Sequence, residues 1–247
     1  MKSHKLLFAS VLILISLLFS VKRVYATLVF INKQGELIVK VLSSEDTLEL
    51  SIPRRDYLAV KEITQDTSDP EAQINLYKKD GKIELNISGK TGDESLDITN
   101  YQDEVIELEE RAEIEKVTIE LENDKFLIKQ RSVVASTDYE ININPKTAGI
   151  SLKTPTGLKY LSILPRQAAE TVLKSKLINK IDIKTRIPLN EEGGRELAYE
   201  VKGEKVINLL NIFNYSVPVS AKISAANGEV LQIQQPTWLK VFGFLFV

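Results

Sequence analysis

The chain contains no cysteine, a single histidine (His4) and a single methionine (Met1) in 247 residues. Without cysteine there is no disulfide framework, no thiol nucleophile, no iron–sulfur cluster and no cysteine-ligated zinc. His4 belongs to an N-terminal segment that reads as a targeting signal, so the rest of the chain has no imidazole. That excludes a Ser-His-Asp triad, the histidine ligands of catalytic zinc and a histidine proton shuttle near neutral pH. The chemistry left open is a carboxylate pair, a Ser/Lys pair or an oxygen-ligated cation. Aromatic residues are also scarce, at 7%, yet Trp238, Phe242, Phe244 and Phe246 crowd the last ten positions.

Long apolar runs are confined to one place. Leu6–Val21 is sixteen residues with thirteen apolar, three serines and no charge. Lys2 and Lys5 precede it, and Val24-Tyr25-Ala26 follows Lys22-Arg23. A basic start, an apolar stretch and small residues at −3 and −1 describe a secretory signal peptide cleaved after Ala26. Sixteen helical residues span about 24 Å, short of the roughly 20 residues that a bilayer core requires. An uncleaved anchor is the alternative, since Lys22-Arg23 opposes translocation. Either way the expected location is extracytoplasmic, secreted or anchored by residues 6–21.

Loss of Lys2, Lys5, Lys22 and Arg23 takes the basic count from 32 to 28 against 34 acids, a net charge of −6. A nucleic-acid binder carries a basic footprint, so no nucleic-acid partner is expected. Charge is unevenly placed along the chain. Asp93–Asp124 has net charge −11, and Lys125–Arg186 has net charge +8. Much of the acidic block alternates with apolar residues, which is the pattern of solvated strand faces. The two blocks are placed to neutralise each other across the fold.

Strand signals dominate the remainder. Leu28–Ile31 and Leu37–Leu42 flank Asn32-Lys33-Gln34-Gly35, and Ile74–Tyr77 and Ile83–Ile87 flank Asp80-Gly81. Asp-Gly is a type I′ hairpin signal, because both positions tolerate positive φ. Val117–Leu121 and Phe126–Lys129 flank Asn123-Asp124, and Tyr139–Ile143 and Ile150–Leu152 flank Pro145–Gly149. Val217–Ser224 and Val230–Ile233 flank Asn227-Gly228. Five such hairpins predict an antiparallel β-rich protein. Arg166–Ile178 breaks the pattern. Its apolar spacing is that of an amphipathic helix with Pro165 in the first turn. Ala168, Ala169, Val172, Leu173 and Leu177 are expected to face the sheet. Arg111–Glu115 reads as a second, short helical turn, and Asp66–Pro70 and Gly89–Glu94 read as loops.

The order helix (Arg166–Ile178), strand (Ile181–Ile187), strand (Leu197–Val201), strand (Val217–Ser224) carries a resemblance. Tyr199-Glu200-Val201 is followed by Ser224-Ala225-Ala226-Asn227-Gly228-Glu229-Val230-Leu231. Pro165–Leu231 resembles a PepSY domain, in which a helix, a strand and a "YEV" strand precede a strand that ends in an Asp-Ala-x-Thr-Gly-Glu-Val-Leu-like turn. Here Ile207–Pro218 is inserted between the last two strands, and the usual acidic start of the turn is replaced. Ile141–Leu164 resembles a stretch found ahead of such modules in uncharacterised bacterial secreted proteins. The resemblance implies an extracytoplasmic setting and, for some members, a link to peptidase inhibition or propeptides.

The expected fold is therefore mainly β with one amphipathic helix, an antiparallel β-rich N-terminal region followed by an α+β PepSY-like module. The expected divisions are 1–26 (signal or anchor), 27–135 (acidic, β-rich), 136–164 (hairpin connection), 165–235 (PepSY-like) and 236–247 (apolar). Glu109, Glu110, Glu113 and Glu115 are candidate paired carboxylates, with a hydrated charge run as the simpler reading. No EF-hand spacing or Ser-x-x-Lys nucleophile pattern is present. Asn86-Ile-Ser88 and Asn214-Tyr-Ser216 fit the glycosylation tripeptide. Trp238, Phe242, Phe244 and Phe246 are the candidate contact residues for a partner or a membrane interface, with Trp238 at headgroup level and Lys240 snorkelling. A final strand or short helix packed on the sheet is the simpler alternative. The sequence thus predicts a noncatalytic extracytoplasmic protein that binds a peptide or protein partner and holds no cofactor or metal. A carboxylate-based hydrolase of envelope polymers and a structural envelope protein are the alternatives.

Overall fold

The computed structural model describes residues 27–43, 59–65, 72–89, 92–101, 103–112, 114–182, 185–209 and 213–242. The signal or anchor segment, with residues 6–21 and His4, lies outside the described residues, as do Phe244, Phe246, Glu113 and the expected loop at 66–70.

The chain is mainly β, in two sheets. The six-stranded sheet is built from β4 (Gln73–Lys79), β5 (Lys82–Gly89), β6 (Gly92–Asp97), β11 (Glu140–Asn144), β12 (Gly149–Thr154) and β13 (Gly157–Tyr160). Its strand order is β13-β12-β11-β4-β5-β6. The larger sheet takes β1 (Val29–Ile31), β2 (Leu37–Ser43), β3 (Ala59–Gln65), β7 (Glu104–Leu108), β8 (Val117–Glu122), β9 (Lys125–Gln130) and β10 (Val133–Thr137). It continues through β15 (Ile187–Glu192), β16 (Glu196–Leu209), β17 (Phe213–Ser224) and β18 (Val230–Gln234). The order runs β18-β17-β16-β15-β10-β9-β8-β7-β1-β2-β3, with β14 (Lys180–Ile181) paired to β16 off this path. Strands from each of the segments 27–135, 136–164 and 165–235 therefore pair with strands from another.

Alternation explains the packing. In β5, Ile83, Leu85 and Ile87 are buried while Glu84, Asn86 and Ser88 lie on the other face. Ile74, Leu76, Ile141, Ile143, Ile150 and Leu152 do the same in their strands, and one continuous apolar core joins them to the larger sheet. All five expected hairpins are present. Asp80 and Gly81 both have positive φ, as a type I′ turn requires, and so do Asn123 and Asp124.

Pairing is not purely antiparallel. β1 lies parallel to β7, and β10 lies parallel to β15. Parallel neighbours need long crossovers. β2 to β6 lie between the first pair and β11 to β14 with the helix between the second, so neither pairing has a local signal in the sequence.

Helix α1 spans Pro165–Lys174, with Pro165 in its first turn. The Leu164 N–H donates to Oε1 of Gln167, and the Arg166 N–H donates to Oε1 of the buried Gln130 on β9. Unpaired N–H groups at the helix start are thereby satisfied. The helix stops four residues before the expected Ile178, because Lys176 takes a left-handed φ of 56° and its N–H closes onto the Leu173 carbonyl. Pro165, Ala168, Ala169 and Val172 are buried. Leu173, expected on that face, is 41% exposed. It sits about a quarter-turn away from the stripe that those four residues define.

Three further expectations are corrected. The strand expected at Ile181–Ile187 is interrupted: β14 ends at Ile181, Thr185 folds back through its N–H and Oγ1 onto Asp182, and β15 begins at Ile187. The described residues of Arg111–Glu115 are not helical. Arg111 and Ile114 exchange backbone hydrogen bonds, and the Arg111 guanidinium donates to the carbonyls of Asn32, Pro145 and Lys146. Gly89–Glu94 is not one loop: Gly89 ends β5, Gly92–Glu94 open β6, and Gly89 pairs with Gly92. The C-terminal segment takes the short-helix alternative, as α2 (Thr237–Phe242).

The two charge blocks meet in ion pairs. Glu115 pairs with Arg131 and Arg166, Glu120 with Lys129, and Glu122 with Arg186.

Candidate functional site: an aromatic arm

β16 and β17 are the longest of the described strands, at 14 and 12 residues. Their pairing is unbroken from Ala198↔Ser224 out to Leu209↔Phe213. Their other neighbours stop early. β18 pairs only with Ser220–Ile223 of β17, and β14 only with Gly203 and Glu204 of β16. The distal part is thus a two-stranded arm. Among the described residues, no strand pairs with the outer edge of β17 from Phe213 to Val219.

Alternation assigns the faces of the arm. Val217, Val219 and Ala221 are buried, so Tyr215 and Phe213 continue the same face outward. Ile207, opposite Tyr215, is buried as well. Tyr215 is nevertheless 60% exposed and Phe213 66% exposed. The core face of the sheet therefore runs on into solvent as an aromatic strip. Val206 is also exposed, on the opposite face.

Helix α2 comes back against this strip. Leu239 is buried in the core, while Trp238 is exposed and lies 6.4 Å from Tyr215 between ring centroids, tilted by 52°. Offset or tilted aromatic pairs at this separation attract. Phe242 ends α2, but its side chain lies outside the described ones. Of the four residues singled out in the sequence, the structure thus places Trp238 at the site. Phe213 and Tyr215 are not among them. The signal was there: Phe213, Tyr215, Val217 and Val219 are one unbroken alternation.

The base of the arm is pinned. Asn179 donates its N–H to the Glu204 carbonyl and accepts from the Val206 N–H through Oδ1. Gly203 is where β14 crosses closest; a Cβ there would overlap the Lys180 carbonyl oxygen and the Ile178 side chain.

The candidate carboxylates are placed elsewhere. Glu104, Glu110 and Glu115 line a cavity of ≈ 270 Å³ together with Lys116, Lys129 and Arg131. Glu115 is held by Arg131 at 2.8 Å and Arg166 at 2.7 Å. Glu109 accepts from the Lys33 N–H and lies 3.7 Å from its ammonium. Among the described residues no group of three or more His, Cys, Asp and Glu side chains is placed to hold a metal ion. No described helix is long and apolar enough to cross a membrane.

Comparison of the chain with family models, with curated proteins and with solved structures finds no match.

Proposed function

We propose that the protein is a noncatalytic extracytoplasmic binding protein that takes an extended, apolar peptide segment of a partner along the β16–β17 arm. The observation that supports it is the open edge of β17 beside Phe213, Tyr215 and Trp238. An edge strand offers unpaired N–H and C=O groups to a further strand, and neighbouring pockets read alternate side chains. Exposed aromatic residues are the usual anchors of such interfaces. The N-terminal signal-like segment supports the compartment. The likeness of Pro165–Leu231 to PepSY domains supports a peptide-directed, peptidase-modulating role, and the arm is the part by which this chain departs from that pattern.

Trp238 is the one tryptophan of the chain, so its emission reports on the arm directly. Titration of the full chain with a panel of extended apolar peptides is expected to shift that emission to the blue. Tyr215→Ala and Phe213→Asp are expected to abolish the shift. A shift produced by lipid vesicles and by no peptide overturns the peptide reading in favour of membrane contact. Hydrolysis of peptides or glycans that copurifies with the chain, and is lost on changing one carboxylate, overturns the noncatalytic reading.

A further inference from the structure

The six-stranded sheet carries a row of polar side chains straight across all its strands. Cross-strand register aligns Tyr160 with Ser151, Ser151 with Asn142, Asn142 with Asn75, Asn75 with Asn86, and Asn86 with Ser95. Each of the four middle residues alternates with buried neighbours: Ile150 and Leu152, Ile141 and Ile143, Ile74 and Leu76, Leu85 and Ile87. The row therefore lies on the face turned away from the core, where Ser151 is buried and the three asparagines are half-buried.

The row ends in a cavity of ≈ 440 Å³ whose lining includes Glu140, Asn142, Asn144, Ser151, Lys153 and Tyr160. Tyr160 is 67% exposed and Leu158, on the same edge strand, is 49% exposed. Among the described residues, no side chain or backbone group hydrogen-bonds the amides of Asn75, Asn86 or Asn142. Asn144, by comparison, accepts from the Thr147 N–H, and Asn32 from the Gln34 and Glu36 N–H groups. The row itself has no charge, and several of the charges beside it are paired. Lys153 meets Glu140 at 3.1 Å, Lys82 meets Asp97 at 3.2 Å, and the Tyr77 hydroxyl donates to Glu84.

The geometry points to this face as a binding surface for an uncharged glycan chain laid across the strands. A side-chain amide presents an acceptor oxygen and two donor hydrogens, which matches a pair of adjacent sugar hydroxyls. The apolar C–H face of a sugar ring stacks on an exposed aromatic ring, and Tyr160 supplies one at the end of the row. Strands lie ~4.8 Å apart, so six of them carry the row over ~24 Å, the extent of roughly four or five sugar units. The uncharged row suits an uncharged polymer, and the acidic edge strand β6, with Asp93 and Glu94 beside Ser95, repels a polyanion.

The test is calorimetric titration of the full chain with cellohexaose, chitohexaose and mannohexaose, and with a polyuronate of similar length as the charged comparison. At least one uncharged hexasaccharide is expected to bind, with the polyuronate weaker. Tyr160→Ala and the double change Asn75→Ala/Asn142→Ala are each expected to weaken it at least tenfold, with the urea midpoint of the variants unchanged. Tyr215→Ala, on the arm, is expected to leave glycan binding intact, which separates this surface from the peptide reading. Binding by no uncharged oligosaccharide, preference for the polyuronate, or binding that survives both row variants overturns the proposal.

Discussion

The hydroxyl of Tyr199 on β16 donates to the main-chain carbonyl of Ile163 at 2.8 Å, and thereby ties the entry to helix α1 to the middle of the larger sheet. Tyr199 is fully buried, and that burial raises its phenol far above the usual value, so the hydroxyl stays a donor at every physiological pH. The same connection is closed from the other side, where the N–H groups of Ser162 and Ile163 both donate to the Ala225 carbonyl. Tyr199→Phe removes one hydrogen bond and keeps the ring. It is expected to cost about 1 kcal/mol. Tyr199→Ala also empties the ring's space and is expected to cost about 3–5 kcal/mol, as large aromatic truncations do. Urea unfolding of the two variants separates the two contributions.

The helix face gives a paired test. Val172 is fully buried and Leu173 is largely exposed. Leu173→Asp is expected to change stability by no more than about 0.5 kcal/mol, the range of ordinary surface changes. Val172→Asp places an unpaired charge in the core and is expected to cost several kcal/mol or prevent folding. A large loss at Leu173 in thermal unfolding would contradict the orientation of α1.

Gly203 is expected to resist even alanine. The added methyl would have to displace the Lys180 carbonyl and Ile178 where β14 packs on β16. Overpacking of this kind costs about 1–3 kcal/mol. The loss is expected as a lower urea midpoint, with the arm's Trp238 emission altered because Gly203 lies at the arm's base.

Acid is expected to loosen one turn. The hydroxyl and N–H of Thr99 and the ammonium of Lys82 hold the Asp97 carboxylate at a pKa of about 2, below its usual 3.8. A depressed carboxylate stabilises the fold above its unfolded pKa, and that contribution is lost as pH falls through the folded one. The window is therefore pH 4 down to 2. Thr99 also accepts from the Ile83 N–H, so the end of β6 and the start of β5 are affected together. Asp97→Asn is expected to remove this part of the acid dependence, as read by unfolding midpoints across that range.

Local chemistry made the hairpins legible. Asp80-Gly81 and Asn123-Asp124 announce their own turns, and the alternation in Ile83–Ile87 states which face is buried. The helix was legible for the same reason, through the spacing of Ala168, Ala169 and Val172. Its end was not, because the stop comes from Lys176 adopting a left-handed conformation that no glycine marks. The pairing of Val29 with Ile106 was out of reach, since nothing in either strand names a partner so distant. The arm lay between the two cases. Its alternation was visible in Phe213–Val219, but its exposure depends on where β18 and β14 stop. The polar row on the six-stranded sheet is legible only once register is known, because Tyr160, Asn142 and Asn75 come together from three separate parts of the chain.

The parallel pairing of β1 sets an order of arrival. Val29 emerges first from any N-terminal exit, yet its neighbour Ile106 follows 77 residues later. Until then β1 and β2 form a hairpin with one bare apolar flank. Every strand of the six-stranded sheet up to β6 is delivered in the interval. Contacts so distant in sequence form slowly, and bare strand edges recruit other chains meanwhile. A newly made chain therefore spends its early life with this seam open, and its yield is expected to fall with concentration before its stability does.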